Sequence, residues 1–471
     1  YDAISAKYEP GTGGMTPLYT YGGDYNKTDA SDNNFNCNGI IGPDRQLNPH
    51  AKELAYQYQS IWVKPVDLAK GTIAVHNENF FRDLSNYRME WSLLKDGKSV
   101  QSGSVDKLNV APQQTANVAL PLNIPSDGEV MLNIDFKTKT AEPLIAEGQT
   151  VAYEQIALNE ATPVTYVENF STEKVKIQNK KNDPTIVIAS AKATVAFDKA
   201  TGLLCQYAVD GKSMLGEGGT LKPNFWRAVT DNDMGAGLQN RLKAWHNPNM
   251  TLTAIAVEKI KESKGTAATV TARYDMPDVK AKLTLTYKVY GDGTIDVEQA
   301  MTKATPDAKA PNLLRFGMVM DLPYNMDKSQ WYGRGPIENY SDRKLSERIG
   351  LYSLTADQQY FPYIRPQECG TKSDIRWWKQ ANAEGLGINI QPVSSWMYAG
   401  ALHYDIADLD EGMEKAQRHS PEVPKSKFTE LTIDLAQQGL GGTNSWGDLP
   451  LEKYRVPFGD MTFRFVITPM K

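Results

Sequence analysis

The chain has 471 residues, more than one hydrophobic core usually organises, so we expect two to four domains. Its net charge of −5 comes without a basic run, a zinc-ligand spacing or a phosphate loop, which excludes the common nucleic-acid-binding classes. No apolar run approaches the ~18 residues of a membrane span, and residues 1–20 lack the apolar centre of a signal peptide.

The cysteines and histidines are few and scattered. Cys37, Cys205 and Cys369 form an odd and sparse set, which predicts free thiols rather than a disulfide framework. No two of the five histidines have metal-ligand spacing, which argues against a zinc site. Free thiols leave the compartment open between cytoplasm and periplasm.

Residues 1–20 contain several glycines and show no periodicity, so they predict an irregular arm. Residues 21–45 form a long segment rich in Asp and Asn, which predicts a surface loop. Composition alone favours a solvated connector, whereas the length of the loop is typical of a functional one. Pro49 then predicts the start of a helix, with Leu54 and Tyr58 four residues apart.

From about Ile61 the hydrophobic pattern has period two, as in Tyr87, Met89, Trp91 and Leu93. Asp96-Gly97 predicts a hairpin turn. Seven or so short strands over roughly residues 60–165 predict an immunoglobulin-like sandwich. We interpret Glu78 as a polar residue at a strand end rather than as a catalytic acid.

Residues 171–184 are rich in Lys, Asn and Asp and predict a linker. Alternating strand patterns then continue to the end of the chain, which predicts a large two-sheet sandwich. Two helices are expected to interrupt it. The first carries Leu238, Leu242 and Trp245; the second is capped by Asp408 and turns Leu409, Met413 and Ala416 inward.

A dense charged group follows the glycines at 333 and 335. We predict a scaffold locked by a Glu338–Arg343 or an Arg334–Asp342 ion pair. His403 is interpreted as a half-buried strand histidine rather than an acid or base.

Two residues are candidate ligand contacts. The side chain of Asn38 can donate to a sugar oxygen while its carbonyl oxygen binds a cation, but composition alone favours an Asx turn before Gly39 over a ligand contact. Trp446 lies in a glycine-rich segment, where its indole is either a sugar-stacking platform or a plug in a domain interface.

Several motifs, in order, resemble the large bacterial β-galactosidases of glycoside hydrolase family 2. They are GGDYN…FNCNGIIGPDR (22–45), NFWR with TDND (224–233), WYGRGP with ENY and DR (331–343), and GG with SW (441–446).

This resemblance implies that the chain is the C-terminal portion of a retaining β-galactosidase. Its implied domains are the end of a (β/α)8 catalytic barrel (1–58), an immunoglobulin-like sandwich (59–165), a linker (166–184) and a galactose-mutarotase-like supersandwich (185–471). The catalytic carboxylates would lie upstream, so we nominate none and expect the chain alone to lack them. The expected partners are a galactoside substrate and the upstream barrel, and the reading allows a homo-oligomer.

The resemblance also implies site residues. Asn38 would contact galactose and a sodium ion, and the backbone carbonyl of Phe35 would be a second sodium ligand. A magnesium ion would be held mainly by upstream residues, with Ser31 or Asp32 near a further magnesium position of the family. Trp446 would stack on the aglycone sugar.

Two alternatives stay open. The chain could be a carbohydrate-binding accessory subunit, or an aldose epimerase or polysaccharide lyase in its own right. An epimerase or lyase needs a paired histidine and carboxylate in the large sandwich, and the scarcity of histidine argues against it.

Overall fold

The computed structural model describes residues 3–8, 15–22, 24, 28–30, 37, 39–169, 171–261, 264–410, 412–413, 418–442, 444 and 447–470. The chain divides into two compact units. The large unit comprises Tyr1–Asn48, Pro163–Lys344 and Tyr352–Lys471, and the small unit comprises Pro49–Thr162 and Leu345–Leu351. The domain boundaries implied by the resemblance stay predictions.

The first two strands form an antiparallel hairpin in the large unit. They are β1 (Ala3–Tyr8) and β2 (Met15–Thr20), with Ala3 opposite Thr20. The expected irregular arm over residues 1–20 is therefore wrong. Each strand has six residues, too few to show a clear period, but two short runs on either side of a glycine-rich sequence are typical of a hairpin.

Helix α1 (His50–Gln57) opens the small unit and begins after Pro49, as predicted. The expected apolar positions are wrong, because Leu54 and Tyr58 are exposed. The buried residues of the helix are Ala51 and Tyr56. With eight residues the helix has barely two turns, so its sequence spacing did not identify the buried face.

The small unit is a seven-stranded sandwich, which confirms the immunoglobulin-like prediction. Its sheets have the orders β3-β4-β7 and β6-β5-β8-β9, and the predicted Asp96-Gly97 turn joins β5 to β6. The strands are β3 (Ile61–Asp67), β4 (Thr72–Asn77), β5 (Tyr87–Lys95), β6 (Lys98–Val105), β7 (Thr115–Ala119), β8 (Val130–Thr138) and β9 (Thr150–Asn159).

The large unit contains two big sheets, which confirms the predicted two-sheet sandwich. Ten strands form one sheet in the order β10-β11-β12-β13-β15-β20-β27-β26-β23, with β14 on β13. Its strands are β10 (Lys176–Gln178), β11 (Thr185–Ala189), β12 (Ala193–Asp198), β13 (Leu204–Val209), β14 (Lys212–Ser213), β15 (Leu221–Asn224), β20 (Arg315–Pro323), β23 (Lys372–Ile375), β26 (Met397–Leu402) and β27 (Phe428–Gln437).

Nine strands form the second sheet in the order β16-β17-β18-β19-β28-β25-β24-β21-β22. They are β16 (Thr251–Lys261), β17 (Thr266–Met276), β18 (Ala281–Tyr290), β19 (Ile295–Lys303), β21 (Lys328–Gly335), β22 (Arg348–Thr355), β24 (Trp377–Ala381), β25 (Gly387–Val393) and β28 (Met461–Met470). One continuous hydrophobic core joins the sheets, with Phe316 and Leu431 from the first and Leu285 and Phe465 from the second.

The predicted linker contains a strand, because β10 pairs with β11. The first predicted helix is broken into α2 (Asp231–Gly235), α3 (Leu238–Arg241) and a 3-10 turn at Lys243–Trp245. Leu238, Leu242 and Trp245, the residues on which that prediction is based, are all buried. The remaining helix before the last predicted one is α4 (Ala356–Gln359).

The second predicted helix is shorter than expected. Helix α5 (Ile406–Leu409) is capped by Asp405 rather than Asp408. Leu409 is buried, Met413 is exposed, and Ala416 lies outside the described residues. The carboxylate of Asp410 accepts the indole N–H of Trp226 at 2.7 Å, and this bond holds an extended residue where the helix would continue.

The small unit offers a direct test of its core. Gly103 on β6 lies opposite Trp91 on β5, and a Cβ atom at Gly103 would be 2.6 Å from Cζ2 of the indole. We expect Gly103→Val to destabilise the small unit by about 1–3 kcal/mol, because the indole is forced from its packed position. Chemical unfolding measures this, with the exposed neighbour Ser102→Val as control. Equal stability of the two variants would contradict the packing.

Candidate functional site

The three predicted ligand contacts, Phe35, Asn38 and Trp446, lie outside the described residues, as do Ser31 and Asp32. Their predicted roles therefore stay predictions. We call the sequence segments 21–48 and 440–448 the first loop and the second loop. The structure describes residues on both sides of the predicted contacts in each segment, and these residues show how the large unit holds it.

Tyr21 fixes the start of the first loop. Its ring is 1% exposed and lies 4.7 Å from the imidazole of His419, centroid to centroid. Its hydroxyl accepts the backbone N–H of Arg418 at 2.8 Å and donates to the carbonyl of the same residue. One side chain thus ties residue 21 to a segment nearly four hundred positions away.

A carboxylate and an imidazole continue this anchor. Asp24 accepts the backbone N–H of Tyr21 at 2.7 Å and lies 2.7 Å from Nε2 of His419. Nδ1 of the same ring lies 3.1 Å from Glu422. His419 is buried, and sequence reasoning missed it, because nothing near residue 419 resembles a motif.

Both chain neighbours of Asn38 are bonded. The thiol of Cys37 donates to the carbonyl oxygen of Thr20 at 3.1 Å. The carbonyl oxygen of Gly39 accepts from the side chain of Asn48 at 2.9 Å, and the backbone N–H of Asn48 donates to Ile40 at 3.0 Å. These bonds tie Cys37 to the end of β2, and Gly39 and Ile40 to Asn48.

Asn232 seats the second loop, which contains Trp446. Its amide nitrogen donates to the carbonyl oxygens of Asp448 at 3.0 Å and of Leu440 at 3.4 Å. Its amide oxygen accepts the backbone N–H of Gly447 at 3.2 Å. Gly447 has φ +99°, and a Cβ atom there would be 2.2 Å from the backbone of Gly235, so only glycine fits this approach.

A buried ion pair holds the residues just before the second loop. Arg227 binds the carboxylate of Asp233 through two bonds of 3.0 and 2.8 Å, and both residues are buried. The same guanidinium donates to the carbonyl oxygens of Gln438 and Gly439 at 2.5 and 3.0 Å. The NFWR and TDND motifs therefore hold the chain that leads into the second loop.

The charged group after residue 333 is partly as predicted. Glu338 and Arg343 pair at 2.6 Å, which confirms that alternative. The Arg334–Asp342 pair is wrong, because Arg334 binds Asp374 at 2.7 Å. Asp342 instead accepts the backbone N–H groups of residues 440 and 441, so it also belongs to the seat of the second loop.

A cluster of buried carboxyl groups lies on the ten-stranded sheet. Arg315 lies 3.0 Å from Glu368 and 3.4 Å from Asp434, and burial raises the pKa of Asp434 to about 7. Burial and the charge of Asp321, its cross-strand neighbour, raise the pKa of Glu430 to about 8. Asp434 and Glu430 thus hold their protons more tightly than exposed carboxyl groups do.

This cluster gives little room for a sugar. A cavity lined by Arg315, Glu368 and Glu430 has a volume of about 20 Å³, which suits one or two water molecules. His403 is more buried than predicted and follows β26. Its ring nitrogens contact Asp357, Thr429 and the carbonyl of Tyr324, so it is fully engaged by the protein.

Within the described ranges, no three His, Cys, Asp or Glu side chains converge as metal ligands. No helix among these residues has the length and apolar character to cross a membrane. Cys37, Cys205 and Cys369 are free thiols, as predicted.

The family follows from comparison with known proteins. The model of the beta galactosidase small chain matches residues 189–467, more than half of the chain. A model of beta-galactosidase domain 4 matches residues 73–159 in the small unit. The chain belongs to the beta galactosidase small-chain family.

Three similar proteins are each named beta-galactosidase. A beta-galactosidase of Priestia megaterium is 31% identical over 94% of this chain and 41% of its own length. Those of Halalkalibacterium halodurans and Lactobacillus delbrueckii subsp. bulgaricus are 26% and 30% identical, over 43% and 40% of their lengths and 95% and 91% of this chain. The chain spans about two fifths of the length of these relatives. A solved galactose 1-epimerase of Lactobacillus acidophilus aligns with 63% of this chain and 98% of its own, at a TM-score of 0.34 and 8% identity.

The bonds that Asn232 makes to the second loop should protect its backbone from hydrogen exchange. We expect Asn232→Ala to speed hydrogen exchange of residues 440–448 by about tenfold or more, because three bonds to that segment are lost. Exchange measured by mass spectrometry tests this. Asn240→Ala, an exposed asparagine on α3, is the matched control and should leave the segment unchanged. Unchanged exchange in both variants would contradict the role of Asn232.

Proposed function

We propose that this chain is the C-terminal portion of a β-galactosidase that hydrolyses terminal β-D-galactosides with retention. The family match and the names of the relatives support the reaction class. The order of the sequence motifs supports a C-terminal position, with a catalytic barrel upstream. In this proposal the chain supplies substrate and metal contacts, and the barrel supplies the chemistry.

The observation that carries the proposal is the bonding on both sides of the predicted contact Asn38. Cys37 is bonded to Thr20 and Gly39 to Asn48, so both chain neighbours of Asn38 are held in place. Preorganised contacts accelerate a reaction because less orientational freedom is lost when the substrate binds. A solvated connector has no need of such bonds.

Retaining cleavage requires two carboxyl groups about 5–5.5 Å apart, one as nucleophile and one as acid and base. We assign both to the upstream barrel and none to this chain. Asn38 holds a galactose hydroxyl through its amide. Trp446 stacks its indole on the leaving sugar, and the bonds from Asn232 keep its loop in place.

Sodium fits the proposed donors. The backbone carbonyl of Phe35 and the side-chain carbonyl of Asn38 are hard oxygen ligands, which alkali and alkaline-earth cations prefer. When bound, sodium supplies a fixed positive charge for the galactose oxygens. We assign magnesium mainly to upstream residues, with Ser31 or Asp32 as the candidates within this chain.

The primary experiment compares two proteins with an aryl β-galactoside as substrate. We expect no hydrolysis by the 471-residue chain alone, and hydrolysis when the chain is joined to an upstream catalytic barrel of the family. Robust turnover by the purified chain alone would place a catalytic site within it and overturn the proposal. Sugar binding without hydrolysis in the joined protein would favour an accessory subunit.

Asn38 is tested in the joined protein. Asn38→Ala should lower kcat/KM by roughly ten- to a thousand-fold, since about 1.5–4 kcal/mol of a charge-assisted polar contact is lost from the transition state. The dependence of the rate on sodium should weaken in parallel. Asn86→Ala, on the small unit, serves as a control with unaltered kinetics. A wild-type sodium response in Asn38→Ala would exclude the assignment.

Trp446 is tested by separating binding from stability. Trp446→Ala should raise KM for disaccharides and weaken glucose as an acceptor, because the stacking face is lost. The thermal midpoint should change little, whereas truncating a core tryptophan costs about 3–5 kcal/mol. A large fall in the midpoint with unchanged acceptor affinity would show that the indole holds an interface together.

A further inference from the structure

The small unit carries a tryptophan on the outer face of its three-stranded sheet. Along β3, Ile61 and Val63 point into the sandwich core, while Trp62 and Lys64 alternate to the outside. Outward positions of such a sheet are normally polar. A large aromatic side chain there is informative, since the core does not account for it.

Trp62 lines a cleft of about 580 Å³, within the size range of small-molecule sites. The cleft belongs entirely to the small unit and combines one indole with polar and charged side chains. These are Lys64, His76, Glu78, Thr115 and Glu154, and Val63 and Ala74 complete the lining.

Hydrogen bonds fix the orientation of these groups. The indole N–H of Trp62 donates to the carboxylate of Glu78 at 2.7 Å, and the hydroxyl of Tyr56 donates to Glu154 at 3.0 Å. The ring of Tyr56 meets Trp62 edge to face at 5.8 Å. The indole is thus locked at its polar edge and braced at one side, as a stacking platform requires.

His76 adds a further polar group. Its Nδ1 atom lies 3.0 Å from the hydroxyl of Thr115, the cross-strand neighbour on β7. This contact fixes the plane of the imidazole. The cleft therefore presents carboxylate acceptors, an ammonium donor and an imidazole around one aromatic face.

We propose that this cleft binds the pyranose ring of a carbohydrate, at a site separate from the galactoside site proposed above. The C–H face of a sugar packs on an indole, while its hydroxyls donate to carboxylates and accept from ammonium and imidazole N–H groups. Two carboxylates against one lysine disfavour a phosphorylated ligand. No three potential ligands converge as a metal site in this part of the described structure.

The site predicts weak but specific binding. A monosaccharide has about a dozen non-hydrogen atoms, and an open cleft gives it a Kd on the order of millimolar. Removing the indole should weaken binding by at least about tenfold. Glu78→Gln should weaken it less, because the amide oxygen still accepts the indole N–H while the charged acceptor is lost.

The test uses the full 471-residue chain with its tryptophans labelled by nitrogen-15. The indole N–H resonance of Trp62, assigned by its absence in Trp62→Leu, should shift saturably with methyl β-D-galactopyranoside or lactose. Trp62→Phe, which keeps an aromatic face, should retain saturable binding by saturation-transfer NMR. The matched control Trp377→Leu, a partly exposed tryptophan of the large unit, should leave the Trp62 shift intact. Trp446→Ala should leave it intact too, which separates this site from the proposed galactoside site.

Three results would overturn the proposal. The first is no saturable shift of the Trp62 resonance in the wild-type chain. The second is unchanged sugar binding by Trp62→Leu. The third is a Trp62 resonance that depends on protein concentration without sugar, together with a dimer in light scattering. That result would make this face an interface between two copies of the chain.

Discussion

The buried pair of Arg227 and Asp233 holds the chain that leads into the second loop of the proposed site. Removing both charges from water is costly, and the cost is offset only when all their hydrogen bonds are made. Here the guanidinium has two bonds to the carboxylate and two to the carbonyl oxygens of Gln438 and Gly439. The pair therefore joins the end of β15, helix α2 and the chain that leaves β27.

The described residues on both sides of Trp446 are bonded to one of these elements, helix α2. Helix α2 begins at the cap Thr230, whose hydroxyl accepts the N–H of Asp233, and this cap places Asn232 against Leu440, Gly447 and Asp448. The approach of Gly447 to Gly235 leaves no space for a side chain between loop and helix. In the TDND run, the cap of Thr230 and the amide of Asn232 thus position the chain on both sides of Trp446.

The first loop is held by different means. Tyr21 and Asp24 tie its start to Arg418 and His419, nearly four hundred positions away in sequence, and Asn48 ties its end. These contacts give each proposed ligand-bearing loop fixed neighbours. In the proposed function, the large sandwich is a frame that presents these two segments to an upstream catalytic barrel.

Alternating hydrophobic residues predicted both sandwiches well, because a strand with one buried face imposes period two on its sequence. Short strands and helices were harder to predict from the sequence. The hairpin of β1 and β2 has six residues per strand, and α5 has four because Asp410 binds Trp226. The end of α5 is thus decided by a contact distant in sequence.

The candidate site also contains some features that local sequence predicts and others that it does not. The motifs around Asn38 and Trp446 can be read from sequence, and so can the Glu338–Arg343 pair, which spans five positions. His419 could not be found, since its partner Asp24 is 395 positions away. Arg334 took Asp374 instead of Asp342 because the fold brings β23 beside β21, and local spacing carries no information about that neighbour.

A double-mutant cycle between Asn232 and Trp446 tests the central claim most directly. The quantity is the KM for lactose of the chain joined to an upstream barrel, for the wild type, Asn232→Ala, Trp446→Ala and the double variant. If Asn232 acts by seating the loop of Trp446, the double variant should have the KM of Trp446→Ala, within experimental error. Fully additive effects on the free energy would show that the two residues act independently and would contradict the account.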